Sequence, residues 1–328
     1  MSLQAAPTRV RYMTAAPRAL WITAPGHAVH DTAAEGAGLL LEMRYSGISR
    51  GTEALVLAGA VPGSEAARMR APFQEGAFPF PVKYGYAAVA ELREGPMAGR
   101  MVFALHPHQD RFRLPPDWVV PLPEGLPPAR AVLGANMETA LNVVWDSGAG
   151  PGDRVVVIGA GVVGALAAWL CAALPGSEVT LCDLAPTRAA LAAQLGCAFA
   201  HPDDAPEGAD VVINASGSGA GLARGLALAG PDAAVVEASW HGTEPVTLPL
   251  GAAFHSQRLR LISSQVGNLP PGRRPRWDHR RRLAKALELL RDDRLDALIT
   301  GETRFDALDT AYAEILAHPE TLCHRVVY

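Results

Sequence analysis

The segment VVVIGAGVVGALAAWL, residues 155–170, constrains the fold more than any other part of the chain. An apolar run of β-branched residues leads directly into three glycines spaced as GxGxxG, and a helix-forming run follows at once. This strand–turn–helix context is typical of a dinucleotide-binding turn. Gly159 permits the tight turn, Gly161 lets the backbone approach a pyrophosphate, and Gly164 lets the helix pack closely on the strand.

The residues after the turn refine this prediction. Val162 and Val163 begin the helix, whose free N–H groups can bind phosphate oxygens. No lysine follows, which excludes a Walker-type loop. Asp183 lies at the end of EVTLCD, 19 residues after Gly164, where a carboxylate can accept from ribose hydroxyls and would repel a 2′-phosphate. We therefore expect NAD. NADP stays possible because Arg188 could bind a 2′-phosphate; alternatively, Arg188 packs near adenine or is solvated.

The region around the fingerprint predicts a doubly wound sheet. Residues 154–264 alternate apolar strands with Ala/Leu-rich helices, which is typical of a parallel sheet covered on both faces. Cofactors bind such sheets at the carboxyl ends of the strands. Three strand ends place cofactor candidates there, namely Ala215, Trp240 and Ser264. Trp240 could instead lie at a dimer edge.

The rest of the chain has a different texture. In the first 130 residues Pro and Gly recur between short apolar runs, a pattern that predicts a strand-rich unit. Segment 82–92, VKYGYAAVAEL, reads as one buried strand, and segment 129–147 reads as a helix. After residue 267 two helical runs precede a closing strand, HRVVY.

Composition excludes some classes of function. The 328 residues carry a formal net charge of -4, which gives no overall attraction to nucleic acid or to an anionic membrane. The four cysteines form no CxxC pair, so we expect free thiols in a reducing cytoplasm. The N-terminus has no apolar run long enough for a signal peptide or a membrane span. These features predict a cytoplasmic protein without a nucleic-acid or membrane partner. With the predicted dinucleotide site, we expect its partner to be a small-molecule substrate.

In combination, the landmarks resemble the medium-chain dehydrogenase/reductase superfamily over nearly the whole chain. They are YSGISRGTE, VKYGYAAVAEL, GRMVFAL, LPEGLPPARAVL, METAL, PGDRVVVIGAGVVG and HRVVY, in this order. The resemblance implies an α/β fold with a GroES-like strand-rich catalytic domain at 1–136, a Rossmann domain at 137–266 and a return to the catalytic domain at 267–328. It also implies homodimers through the Rossmann domain and a nicotinamide contact from Thr139.

The resemblance also shows where this chain departs from the zinc enzymes. The three ligand positions are occupied by Ser49 (or Ile48, one residue earlier), Tyr86 and Ala135. Catalytic zinc needs three N, S or O donors, and these residues supply at best weak ones. We expect a zinc-independent NAD(P)-dependent oxidoreductase acting on a carbonyl/alcohol or an activated alkene. The alternative is a nicotinamide-binding redox sensor or structural protein without turnover.

Without a metal, hydrogen-bond donors must stabilise charge on the substrate oxygen. We predict catalytic roles for Tyr86, Ser49, Thr52 and His106. Two of them also have a structural reading: Tyr86 could be a core tyrosine, and His106, with His108, could lie in a surface loop.

Two further charged features of the sequence allow more than one reading. Glu53 could anchor its loop by pairing with Arg50. The six arginines of RRPRWDHRRR, at 273–282, predict a solvated face, or else an anion or subunit contact in which Trp277 stacks on an arginine.

Overall fold

The computed structural model describes residues 16–328. The first 15 residues, which open the predicted catalytic domain and the N-terminal segment discussed above, lie outside the described residues. No helix within the described part of the chain is long and apolar enough to cross a bilayer.

A strand-rich unit forms from both ends of the chain. Its early strands are β1 (Arg18–Ala24), β2 (His27–Thr32), β3 (Leu39–Ser49), β4 (Glu75–Gly76), β5 (Val82–Lys83), β6 (Ala88–Leu92), β7 (Met101–Ala104), β8 (Arg111–Leu114) and β9 (Val120–Pro121). Four of them form the sheet β2-β1-β5-β4. The long strand β3 pairs antiparallel with β6 and β8 in a second sheet. Helix α1 (Arg50–Leu57) follows β3 directly.

The predicted parallel sheet is present and forms the second unit. Its strands are β10 (Arg154–Ile158), β11 (Glu178–Cys182), β12 (Ala198–Ala200), β13 (Ala209–Asn214), β14 (Ala229–Glu237) and β15 (Arg260–Ser263). All neighbours pair parallel in the order β12-β11-β10-β13-β14-β15. This is the strand order of a doubly wound dinucleotide-binding sheet. The fold is therefore α/β, as predicted.

Six further helices within residues 16–328 pack on the two units of the chain or connect them. They are α2 (Gly134–Ser147), α3 (Val162–Ala172), α4 (Arg188–Gln194), α5 (Gly219–Leu228), α6 (His279–Leu289) and α7 (Leu308–Ala317). Helix α2 packs on both α3 and α6. The last strands, β16 (Ile299–Arg304) and β17 (Cys323–Val327), return to the first unit, where β17 pairs antiparallel with β3.

Two local predictions were wrong in detail. Segment 82–92 is not one strand, because Gly85 adopts φ +115° and breaks it between β5 and β6. The helix expected over 129–147 begins only at Gly134, after a short 3₁₀ turn over Ala131–Leu133. The four cysteines are free and buried, as expected from their spacing.

Candidate active site

The three fingerprint glycines occupy three different environments. Gly159 has φ +98°, and a Cβ there would lie 2.6 Å from Ser216 Cα. A Cβ on Gly164 would lie 1.9 Å from the Gly159 carbonyl oxygen, so helix α3 packs against the turn too closely for any side chain. A Cβ on Gly161 would meet nothing within 4 Å. The turn is thus closed on its protein side and open above Gly161, as a pyrophosphate cradle requires.

Asp183 lies at the mouth of the same turn. Its Oδ2 accepts a hydrogen bond from the backbone N–H of Ala160 at 2.7 Å, and its Oδ1 accepts from Ala185 N–H at 2.9 Å. These bonds fix the orientation of the carboxylate and leave lone pairs for further donors. The arrangement fits the adenosine ribose of a dinucleotide.

The other residues predicted near the dinucleotide surround this turn. Val162 is buried at the start of α3, and Val163 is half-buried beside it. Ala215 follows β13, and its backbone N–H donates to Ile158 O at 2.8 Å. Arg188 is different: its guanidinium lies 3.4 Å from Glu320 and donates to Pro319 O at 3.0 Å. The C-terminal segment therefore engages the group that could have bound a 2′-phosphate.

The residues predicted near nicotinamide are held by protein contacts. Thr139 donates from its hydroxyl to Ala135 O at 3.0 Å, and Ser264 donates to Asp146 Oδ2 at 2.6 Å. Trp240 packs on the hydrophobic core of the strand-rich unit. Just after it, a Cβ on Gly242 would lie 2.6 Å from Ala60 O. The loop after β14 therefore closes against the strand-rich unit, between the two units of the chain.

Tyr86 lies at the break between β5 and β6, half-buried, with two hydroxyl groups beside it. Burial raises the pKa of Tyr86 to about 12, and the nearby Glu53 carboxylate contributes in the same direction. Hydrogen bonds with Ser49 and Thr52 lower that pKa. Three of the four predicted catalytic side chains are thus neighbours, and the phenol stays protonated at neutral pH.

Beneath Tyr86 lies Glu53, a completely buried carboxylate. It accepts from the Ser49 backbone N–H at 2.7 Å and from the Tyr312 hydroxyl at 2.7 Å, and His108 Nε2 lies 3.0 Å away. The predicted pairing of Glu53 with Arg50 is wrong, because Arg50 donates instead to Leu316 O at 3.0 Å.

His108 extends this network away from Tyr86. Its Nδ1 lies 2.7 Å from Ser46 Oγ, which lies 3.0 Å from the Tyr328 hydroxyl. The series Ser46, His108 and Glu53 has the residue types of a hydrolase triad. Ser46 is completely buried, however, so no substrate reaches its hydroxyl. The network is structural, and it links Tyr328 to the junction between β3 and α1, where Ser49 lies.

His106 occupies the hydrophobic core. Its ring stacks on the ring of Phe112, with the ring centroids 3.8 Å apart. It also stacks on the ring of Phe73, with the centroids 5.8 Å apart. Burial lowers the pKa of His106 to about 3, and the Lys83 charge adds to this. Both His106 and His108 are buried, so the surface-loop reading is wrong for each. Among the contacts of residues 16–328, none joins His106 to Tyr86, and its predicted catalytic role gains no support.

The three positions expected to match zinc ligands, Ser49, Tyr86 and Ala135, carry two hydroxyls and a methyl group. The Ser49 hydroxyl accepts from Asn136 Nδ2 at 3.0 Å, and Ala135 is buried. Within residues 16–328, no three or more His, Cys, Asp or Glu side chains cluster in a way that could hold a metal ion.

The arginine-rich segment has contacts within the chain. Arg282 is buried and pairs with Glu138 at 3.0 Å. The guanidinium of Arg281 lies 4.0 Å from the centroid of Trp277, which confirms the predicted stacking face. These contacts give the cluster a structural use.

The sequence could not have indicated the whole network around Tyr86. Ser46 and Tyr328 lie in landmark segments, but nothing in those segments indicates a contact with His108 or with each other. Tyr328 reaches Ser46 through the pairing of β3 with β17, and Tyr312 reaches Glu53 through the packing of α7 on α1. One signal was present. Glu53 is an acid close to a long apolar strand, and an acid buried there needs partners.

Comparison with known proteins gives the fold an independent basis. No family model matches the chain. D-xylulose reductase A from Aspergillus oryzae is 26% identical over 239 residues, which cover 66% of this chain and 64% of that protein, less than two thirds of its length. Zinc dependent alcohol dehydrogenase 2 from Streptococcus pneumonia superposes with a TM-score of 0.75 at 17% identity, covering 95% of this chain and 98% of the other.

A short chain alcohol dehydrogenase from Escherichia coli CFT073, complexed with NADH, also has a TM-score of 0.75. It is 14% identical and covers 95% of this chain and 99% of its own. The chain has the fold of these dehydrogenases. At such identities the likeness concerns architecture, and the chemistry must be argued from the residues present.

Proposed function

We propose that the chain is an NAD(P)-dependent oxidoreductase that acts on a carbonyl/alcohol or an activated alkene without a catalytic zinc. The observation that carries the proposal is the combination of two sites in one fold. One is a glycine turn open above Gly161 with Asp183 beside it. The other is the hydroxyl cluster, which consists of Tyr86, Ser49 and Thr52. A bound nicotinamide would supply or take up the hydride.

The cofactor we propose is NAD. The Asp183 carboxylate would accept from ribose hydroxyls and repel a 2′-phosphate. Arg188, the group that could neutralise such a phosphate, is engaged by Glu320 and Pro319. Both features favour NAD over NADP.

Tyr86 is the proposed donor to the substrate oxygen. A neutral phenol can donate one hydrogen bond while accepting from neighbours, and it stays neutral because burial raises its pKa to about 12. Ser49 and Thr52 orient it. A donor fixed where negative charge develops stabilises the transition state most when little water competes.

The donor set supports a site that works without zinc. Zinc in proteins is held by thiolate, imidazole or carboxylate groups. The matching positions offer a serine hydroxyl, a protonated phenol and an alanine.

Direct measurements test the proposal. Isothermal titration with NADH and with NADPH measures binding, and a screen of ketones, aldehydes, enals and quinones measures turnover. We expect NADH to bind more tightly, at least one substrate class to be reduced, and metal analysis to find substoichiometric zinc. Binding without any turnover would favour the redox-sensor alternative, and one zinc per chain would overturn the zinc-free proposal.

A further inference from the structure

A buried pair joins the two segments that border the proposed site. Glu53 follows Ser49 at the end of β3 and accepts its backbone N–H. His108, from the loop between β7 and β8, lies 3.0 Å from Glu53 and packs under the break at Gly85. The resemblance to the medium-chain dehydrogenase/reductase superfamily implies that, in its zinc enzymes, the metal cross-links the two segments that correspond to those of Ser49 and Tyr86.

The fit between His108 and the break is close. A Cβ on Gly85 would lie 2.8 Å from His108 Cδ2 and 2.9 Å from its Nε2. The backbone N–H of His108 also donates to Tyr84 O at 3.3 Å. The imidazole therefore supports the turn that presents Tyr86, and glycine is the residue that leaves room for it.

The hydrogen bonds of this network are mutually consistent. Glu53 has three partners, namely Ser49 N–H, the Tyr312 hydroxyl and His108 Nε2. If Nε2 carries a proton, Nδ1 can accept from Ser46, which can in turn accept from Tyr328. A buried polar network with every member satisfied holds its residues in one arrangement.

We propose that Glu53 and His108 are positioning residues: their buried hydrogen bond ties the Ser49–Glu53 segment to the Gly85–Tyr86 turn and so fixes the hydroxyl cluster. The pair thereby makes the cross-link that the metal makes elsewhere. The inference rests on the proposed function, because it assigns the pair to the proposed site. It concerns the placement of Tyr86, however, and so has a readout that does not need turnover.

The test uses the full-length protein labelled with ¹³Cζ-tyrosine, whose chemical shift reports on the hydrogen bonding and protonation of the phenol. The signal of Tyr86 is assigned by comparison with Tyr86→Phe. Glu53→Gln and His108→Gln should each shift or broaden the Tyr86 signal at neutral pH.

The matched control is Glu75→Gln. It removes the carboxylate that pairs with the buried Lys83 in the same unit. Within residues 16–328, the side-chain hydrogen bonds of Lys83 go to Glu75 and Gln109, and none goes to Ser49, Thr52 or Tyr86. We expect the Tyr86 signal to stay in place in this variant. Movement in the first two variants alone supports the inference; an unmoved signal in either folded variant, or equal movement in the control, overturns it. If Glu53→Gln does not fold, His108→Gln decides alone.

Kinetics separate this inference from the proposed function. With a substrate found in the screen, both variants should lose kcat by about 10-fold to 100-fold, with the KM for NADH unchanged. If the wild-type protein binds no NADH, the proposed function fails while the tyrosine signals still report on the pair. If NADH binds and the tyrosine signal does not respond, only the positioning role fails.

Discussion

At the scale of single residues, the proposal depends on one phenol, that of Tyr86, as the donor to the substrate oxygen. A metal stabilises charge by its own charge, whereas Tyr86 can only donate a hydrogen bond, so its protonation state and orientation decide what it contributes. Burial keeps the phenol protonated, and the hydroxyls of Ser49 and Thr52 orient it.

Replacing Tyr86 with Phe removes this donor and keeps the ring. We expect kcat to fall by about 10²-fold to 10³-fold, as for the loss of one fixed donor to a developing oxyanion. The dissociation constant of NADH should not change. Tyr45→Phe is the control, because Tyr45 is also part-buried but lies under Arg325 instead of in the cluster. Equal activity of Tyr86→Phe and wild type would remove Tyr86 from the mechanism.

Asp183 controls the choice of cofactor in the proposal. Asp183→Asn removes the charge that repels a 2′-phosphate and keeps the side-chain size. We expect the NADH/NADPH ratio of association constants to fall by about tenfold or more, because the repulsion between the carboxylate and the 2′-phosphate is lost; a tenfold change corresponds to roughly 1.4 kcal/mol. Glu320→Gln in the same background should lower it further by releasing Arg188. Titration calorimetry with both cofactors measures the ratio, and an unchanged ratio contradicts the assignment.

His106 has a consequence for stability in acid. Its pKa is about 3 in the folded chain and near 6.5 when unfolded, so between these values only the unfolded chain binds the proton. The contribution of the neutral His106 to the free energy of unfolding is therefore complete above pH 6.5 and is lost as the pH falls towards 3.

We expect His106→Phe, which keeps the aromatic stack and cannot protonate, to flatten the dependence of unfolding free energy on pH between 6.5 and 4. Urea unfolding at a series of pH values measures it. His27→Phe, at an exposed position, is the control and should keep the wild-type slope. A His106→Phe slope equal to that of the wild type would show that another group controls acid stability.

At the scale of elements, glycine has two different roles in the turn between β10 and α3: Gly164 allows close packing, and Gly161 leaves space for the phosphates. Gly164→Ala places a Cβ 1.9 Å from the Gly159 carbonyl oxygen, so we expect loss of stability by about 2 kcal/mol or more, or failure to fold. Gly161→Val should fold normally, because nothing lies within 4 Å of its Cβ, yet lose NADH affinity by occupying the phosphate space. Thermal unfolding and titration with NADH distinguish the two. A Gly161→Val protein that binds NADH as tightly as wild type would contradict the cradle.

The same scale shows what sequence patterns predict well. The parallel sheet was predictable because β-branched runs alternate with Ala/Leu-rich helices, a pattern that local sequence carries. Strand β12 is an exception, because its three residues, Ala198–Ala200, are too few to carry a periodic pattern. The apolar pattern of segment 82–92 is continuous and so predicts one strand. The break depends on the positive φ of Gly85, where the space that a Cβ would fill is taken by His108 from another loop.

At the scale of the whole molecule, the site depends on contacts between distant parts of the chain. Tyr328 reaches Ser46 across 282 residues of sequence, and Tyr312 reaches Glu53 across 259. No local pattern carries such pairs. The first contact follows from the pairing of β17 with β3, and the second from the packing of α7 on α1. Fingerprint residues close together in sequence were therefore predictable, and the network under Tyr86 was not.

The exposed edge of the parallel sheet leads to the last prediction. Strand β15 ends the sheet, so its outer backbone groups have no partner strand within residues 16–328, and Leu261 on it is 38% exposed. Such an edge pairs readily with a second copy across a two-fold axis, which would extend the six-stranded sheet through both subunits. The homodimer through the Rossmann unit that the resemblance implies could form at this edge, and we keep it as a prediction.

Leu261→Lys introduces a charge that two copies would bring together at this edge, so we expect it to convert the dimer to a monomer of 34.5 kDa. Sedimentation velocity measures the change. Leu184→Lys, at a position that is 74% exposed elsewhere on the same unit, is the control and should stay dimeric. Because the hydroxyl cluster is assembled within one chain, the monomeric variant should still bind NADH. A wild-type protein that sediments as a monomer, or a Leu261→Lys dimer, would place the contact elsewhere or remove it.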